Sequence, residues 1–193
     1  MVNIYLIRHG ETDWNVAGRL QGITDIPLNE LGKQSALKTA QYFQANHIEI
    51  SCIMTSPLTR AKQTAQIIAD VLAIPVIEQQ ELKERCFGKA EGLTAEERRE
   101  KFPDDNIPGL EHIQIVRDRV WNVLQTIAAT YADETIIVVA HGGIINAALS
   151  ILSNGEIGTG ITKLKNACLN HIAHNNDEWT IHSHNNILHL ENG

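Results

Sequence analysis

The amino-acid sequence predicts an α/β fold, a three-layer α/β/α sandwich around a mostly parallel central sheet. Three features lead there. Short apolar runs alternate with stretches of helical period along the chain, the pattern of strand–helix–strand units. The strongest run, Thr135–Ala140 (TIIVVA), is β-branched and apolar throughout, as a strand covered on both faces is. Three of the runs end in turn-like segments rich in His, Arg, Ser and Gly, and parallel strands carry such ends to one edge of a sheet.

Residues 2–7 are short, apolar and stopped by Arg8-His9-Gly10-Glu11, which makes them the first strand. A helix is expected from about residue 30 to 46, with Asn29 as its cap. Residues 51–54, preceded by Ile48 and Ile50, form a second strand. A helix follows over about 58–72, and Pro75 closes the connection. Val76 and Ile77 add a brief edge strand. Residues 81–108 break the pattern, being polar, charged and punctuated by Gly88, Gly92, Pro103 and Pro108. Within them Thr94 and Glu97 make a capping-box pair at the start of a short helix. This stretch, about 81–110, reads as a cap over the sheet edge within one domain spanning 1–193. Ile113, Val116, Val120, Leu124 and Ile127 recur at helical spacing and give the next helix one apolar face. After 135–140 come His141-Gly142-Gly143 and a helix beginning near Ile144. The tail, 168–173 and 178–182, forms a hairpin around Asn175, Asn176 and Asp177.

The 193 residues, 43% hydrophobic and 20% charged, suffice for one sizeable core. No stretch reaches the roughly 18 apolar residues of a membrane helix. The opening apolar run is too short for a secretory signal and has no basic region before it, so a cytoplasmic location is expected. Cys52, Cys86 and Cys168 are odd in number and lack CxxC spacing, which argues against a disulfide framework or thiolate metal site. A formal net charge of −7 repels nucleic acid. An anionic small molecule can still bind, provided that positive charge is concentrated in one pocket. Nothing in the pattern sets an oligomeric state.

The three strand ends supply that charge. The first carries Arg8-His9-Gly10-Glu11-Thr12, the second Ser56-Pro57-Leu58-Thr59-Arg60, and the third His141-Gly142-Gly143. Converging at one edge, Arg8 and Arg60 offer guanidinium forks that match phosphate oxygens. The glycines admit close backbone approach, amides near a helix start favour an anion, and Asn15 can donate one more bond. Two nearby cations hold a histidine neutral, and a neutral imidazole is a nucleophile toward phosphorus. Phosphoryl transfer needs positioning and charge neutralisation above all. A carboxylic acid must then protonate the leaving oxygen and later activate water. Glu81 and Glu84, at the entry to the cap, are both candidates.

These residues resemble the histidine phosphatase superfamily, also called phosphoglycerate mutase-like. The resemblance runs through Leu6-Ile7-Arg8-His9-Gly10-Glu11-Thr12 with Asp13-Trp14-Asn15, Gln21-Gly22 with Asp25, and Ser56-Pro57-Leu58-Thr59-Arg60-Ala61. It continues in Glu84-Arg85-Cys86-Phe87-Gly88 with Glu91-Gly92, and ends in Val139-Ala140-His141-Gly142-Gly143. It implies a phosphoglycerate mutase-like fold. It also implies a phosphatase acting on small-molecule phosphate esters with no cofactor and no metal. By the same resemblance His9 is the phosphorylated nucleophile and Glu84, not Glu81, the proton donor. Arg8, Asn15, Gln21, Gly22, Arg60, His141 and Gly142 then bind the substrate. The compact length and the ERCFGKAEG segment are most similar to small bacterial broad-specificity phosphatases.

Two rival readings belong beside this one. A phosphomutase passes the phosphoryl group to a second hydroxyl; mutases of the family carry a longer insertion and a basic pair beyond the acid segment. Here Asp104-Asp105-Asn106-Ile107 stands instead, and Arg98-Arg99 lies inside the short helix. A catalytically idle phosphoprotein-binding module is the other, against which the intact His9 and Glu84 count. The tail histidines, among them His171, His182 and His184, lack a completing ligand set, and Cys86 reads as a packing residue.

Overall fold

The computed structural model describes residues 1–191. The chain opens with β1 (Val2–Arg8), one helical turn α1 (Asp13–Val16), α2 (Glu30–Ala45), β2 (Cys52–Thr55), α3 (Thr59–Leu72) and β3 (Val76–Glu78). The segment expected to cap the site follows as two 3-10 turns, Gln80–Leu82 and Gly88–Ala90, and α4 (Ala95–Lys101). Then come α5 (Ile113–Thr130), β4 (Thr135–Ala140), α6 (Gly142–Leu152), β5 (Leu169–Asn175), β6 (Glu178–Asn186) and α7 (Leu188–Glu191). The strands form one sheet in the order β3-β2-β4-β1-β5-β6. β3, β2, β4 and β1 run parallel; β5 pairs antiparallel with β1 and β6 antiparallel with β5.

Side-chain alternation sorts the core into two layers. Ile4, Leu6, Met54, Ile136 and Val138 pack on α5 and α6, where Val116, Val120, Leu124 and Ile127 form the expected apolar face. Ile7, Ile53, Ile137, Val139 and Leu169 face α2 and α3 with Phe43, Ala61, Ala65 and Ile68. β4 is covered on both sides, which is why its sequence does not alternate. The expected caps form: Asn29 Oδ1 accepts the Gly32 N–H at 2.8 Å, and Thr94 and Glu97 bond reciprocally. α3 ends at Ala73 in the left-handed region (φ 56°). Asn176 and Asp177, both at positive φ, make the tight hairpin turn.

Of the boundaries that differ from expectation, three have a plain cause or the largest shift. β2 lies one residue later, at 52–55, because Thr55 is still paired with Val139 of β4. α6 starts at Gly142, not near Ile144, because an extended His141 serves as its N-cap and both glycines turn helical. The tail hairpin is longer, with β6 extending to Asn186. Among the described residues no helix is long and apolar enough to cross a membrane.

Candidate active site

Parallel pairing of β2, β4 and β1 places their C-terminal ends side by side. Arg8 is level with Ala140, and Thr55 with Val139. The next residue of each strand is thereby fixed: His9 N donates to Ala140 O (3.0 Å) and Ser56 N to Val139 O (3.1 Å). The rings of His9 and His141 lie 5.2 Å apart, centroid to centroid, and both residues are buried.

His9 Nδ1 sits 2.7 Å from the Gly10 carbonyl. A carbonyl only accepts, so Nδ1 carries the hydrogen and Nε2 keeps its lone pair. The turn beneath is tight. A side chain at Gly10 would collide with the Gly32 carbonyl of α2, and Gly10 N donates to Thr64 Oγ1 at 3.0 Å. Burial presses the His9 pKa well below 6.5; Arg8 and then Arg60 press it further, against the opposing Gly10 bond. His141 is lowered in the same way, by burial first and then by Arg60, His9, Arg8 and Arg119. Both imidazoles are therefore neutral near pH 7.

Two arginines flank them. Arg60 is 1% exposed; its Nη1 donates to Thr24 O (2.9 Å) and its Nη2 to Gly22 O (2.6 Å). Arg8 Nη1 donates to Leu164 O at 2.6 Å. Burial lowers both guanidinium pKa values below their ordinary range; Cys168 and then Glu84 oppose this at Arg8, and Glu84 and then Asp25 at Arg60. A guanidinium remains a cation regardless. Among the described residues neither forms a salt bridge, and Arg8 Nε, Arg60 Nε and His141 Nδ1 are buried without a partner. Such open donors on two neighbouring cations, Arg60 buried and Arg8 half-buried, suit a tetrahedral anion.

The surrounding loops are pinned to hold this geometry. Glu91 of the cap accepts from Ile23 N (3.1 Å), Thr24 N (3.0 Å), Thr24 Oγ1 (2.5 Å) and Phe87 N (3.0 Å), clipping the loop whose carbonyls grip Arg60. Asp25 fastens the same loop to α3 through Thr59 N and Thr59 Oγ1, each at 2.7 Å. Asn15 Oδ1 accepts from Thr12 N (3.1 Å) and Asn166 Nδ2 (3.2 Å), which leaves its Nδ2 end to meet a ligand. Asn166 Nδ2 also reaches His9 O and Gly10 O.

The Glu84 carboxylate enters from the cap side. Oε2 accepts Gly143 N (3.0 Å) and Oε1 accepts Arg85 N (2.8 Å). Arg119 supports the segment from below, donating to the carbonyls of Glu81, Lys83 and Glu84 and to the half-buried Glu111, whose Oε2 also takes Cys86 N at 3.0 Å.

Of the residues singled out from sequence, Arg8, His9, Arg60 and His141 gather in one cluster. Glu84 reaches it through Gly143 of α6, beside Gly142. Gln21 and Gly22 stand behind Arg60: Gln21 Oε1 is 3.0 Å from Thr12 Oγ1, and Gly22 offers its carbonyl to the guanidinium. Glu81 is exposed and lines a different crevice with Met54 and Asn122. Of the tail histidines, His171 and His182 lie side by side. His171 stacks between Tyr5 (4.4 Å) and His182 (4.6 Å), and among the described residues no three potential metal ligands converge. Asn166, Glu111 and Arg119 escaped the sequence reading, since no motif or period marks them.

The family model described as the histidine phosphatase superfamily (branch 1) matches residues 4–187. The chain belongs to the histidine phosphatase superfamily. Within this superfamily it is 40% identical over 190 residues to an uncharacterized phosphatase, PhoE, of Bacillus subtilis, covering 98% of this chain and 97% of the relative. It is 37% identical over 204 residues to a metal-independent phosphoserine phosphatase of Arabidopsis thaliana, covering 98% and 84%. A solved phosphoserine phosphatase mutant of Entamoeba histolytica, in complex with phosphoserine, superimposes with a TM-score of 0.85 at 31% identity. That match covers 98% of this chain and all of the other. The solved phosphatase therefore shares the α/β fold of this chain.

Proposed function

We propose that this protein is a phosphoric monoester hydrolase that acts in the cytoplasm on small-molecule phosphate esters, as one domain with a cap over its site. In the first step His9 Nε2 attacks phosphorus in line. The P–O bond to the alcohol breaks, and Glu84 transfers its proton to the departing oxygen. Arg8, Arg60, Asn15, His141 and the Gly142 amide hold the three equatorial oxygens, where charge develops. In the second step Glu84, now a carboxylate, takes a proton from water. That water attacks phospho-His9 and inorganic phosphate leaves. Gln21 and Gly22 serve through Thr12 and Arg60.

One observation carries this reading. His9 is neutral, its Nδ1 hydrogen is held by the Gly10 carbonyl, and its Nε2 lone pair belongs to a cluster with two guanidiniums whose buried Nε groups lack partners. The relatives named as phosphatases support hydrolysis over transfer to a second alcohol. The test is a panel of alkyl and aryl phosphates assayed in EDTA with wild type and His9→Ala. Wild type is expected to release phosphate and to form an acid-labile, alkali-stable phosphoprotein; the variant does neither. Isomerised phosphoglycerate without phosphate release, or turnover that dies in EDTA, would overturn the proposal.

A further inference from the structure

We infer that Ser56 is a positioning residue that locks His141 in the tautomer with its hydrogen on Nδ1, so that the ring meets the phosphoryl group as a neutral donor. The inference rests on the phosphoryl-binding reading of the site, and goes beyond it in assigning the proton.

Ser56 follows β2 and is wholly buried, as is His141. Its Oγ accepts the Leu58 N–H at 3.3 Å and stands 2.8 Å from His141 Nε2. Only two arrangements of the hydrogens are possible. If Nε2 carries the hydrogen, it donates to Oγ. The Ser56 hydroxyl hydrogen then has no acceptor among the described residues, a costly omission in a buried site. In that arrangement Nδ1, which has no partner, also presents a lone pair to an arriving anion. If Nδ1 carries the hydrogen, the hydroxyl donates to the Nε2 lone pair while its oxygen accepts from Leu58. Every hydrogen near Ser56 is then placed. The one donor left over, Nδ1–H, joins the Arg8 and Arg60 Nε groups that are likewise open.

The two histidines thus receive opposite tasks from their nearest neighbours. His9 gives its Nδ1 hydrogen to a carbonyl and keeps a lone pair free on Nε2. His141 gives its Nε2 lone pair to a hydroxyl and keeps an N–H free on Nδ1. A serine can enforce this where an alanine cannot, because only an oxygen that already accepts from Leu58 is steered toward donating.

The tautomer is read directly from the ring ¹⁵N shifts of histidine-labelled, full-length protein at neutral pH without ligand, with His141 assigned by its loss in His141→Gln. The expected result is a pyrrole-type Nδ1 and a pyridine-type Nε2. Added inorganic phosphate should move the Nδ1 resonance. Ser56→Ala should mix the tautomers and lower kcat/KM and phosphate affinity by roughly tenfold, about the value of one hydrogen bond. Ser56→Thr should restore the Nδ1–H form. A pyrrole-type Nε2 in wild type would refute the inference. So would an Ser56→Ala protein with an unchanged tautomer and unchanged phosphate affinity. Because the spectrum is taken before any turnover, it stands or falls separately from the phospho-His9 mechanism.

Discussion

Gly143→Ala separates the acid from the rest of the site. Gly143 lies in the first turn of α6, and a Cβ there would stand 2.5 Å from Glu84 Oε1 and 3.3 Å from its Cδ. Ordinary contact begins at 3.4 Å, so the carboxylate must retreat by about 0.9 Å and abandon the Gly143 N–H. Losing that bond costs about 1.5–3 kcal/mol. Alanine's better helix propensity returns about 1 kcal/mol. The net loss of roughly 1 kcal/mol moves Tm by only about 2–4 °C, and the protein stays folded. Catalysis suffers more, because a positioned general acid is worth about 10²–10⁴ in rate. The assay is the pre-steady-state burst of alcohol release as His9 is phosphorylated. With an alkyl phosphate, whose leaving group needs the proton, the burst should slow at least about a hundredfold. With an aryl phosphate bearing a good leaving group it should hardly change. Equal slowing of both bursts would mean that the alanine damages the phosphate pocket, and no slowing of either would remove Glu84 from the acid role.

Three further outcomes follow from the same geometry. Glu91→Ala frees the loop carbonyls that hold Arg60; KM should rise by roughly tenfold with a smaller change in kcat, and a loss confined to kcat would contradict the clip. Arg119→Ala removes the support under Glu84, and since the pair with Glu111 is only partly buried the cost should be about 2 kcal/mol. Urea midpoints and kcat should fall together, and an unaltered kcat would argue against the strut. His9 and His141 are held well below 6.5, and His189, buried against Thr39 by α7, is lowered to about 4. The unfolded chain therefore takes up protons first as pH falls. Stability should be full above about pH 6.5 and decline from there toward about pH 4, with a shallower decline in His9→Asn; a flat profile would contradict the buried neutral imidazoles.

Much of this architecture was legible because its cause is local. The short apolar run of β1 stopped at its turn, the unbroken apolar run of β4, and the Asn29 and Thr94–Glu97 caps all depend on residues within a few positions of each other. The site was legible through its strand ends, since parallel order alone brings His9, Ser56 and His141 together. The start of α6 was misjudged because two glycines weigh against helix in isolation, while an extended N-cap and the packing of Ile144 and Ile145 decide otherwise. Asn166 was invisible because its contacts, 156 and 157 residues away, exist only once β5 has returned beside β1. The role of Glu91 was hidden for the same reason: the block that contains it is recognisable, but the loop it clips lies 67 residues earlier.

The backbone around residue 167 closes the circuit, with Ala167 N donating to Arg8 O and Asn166 to His9 O. The strand-end side chains of the site all lie within residues 1–165, yet without the stretch that follows them the carbonyls of Arg8 and His9 lose these donors and β1 loses its antiparallel neighbour. The nucleophile's turn is thus completed from the far end of the chain, and hydrolysis of a chromogenic ester would serve as a built-in gauge of whether the last strands have docked.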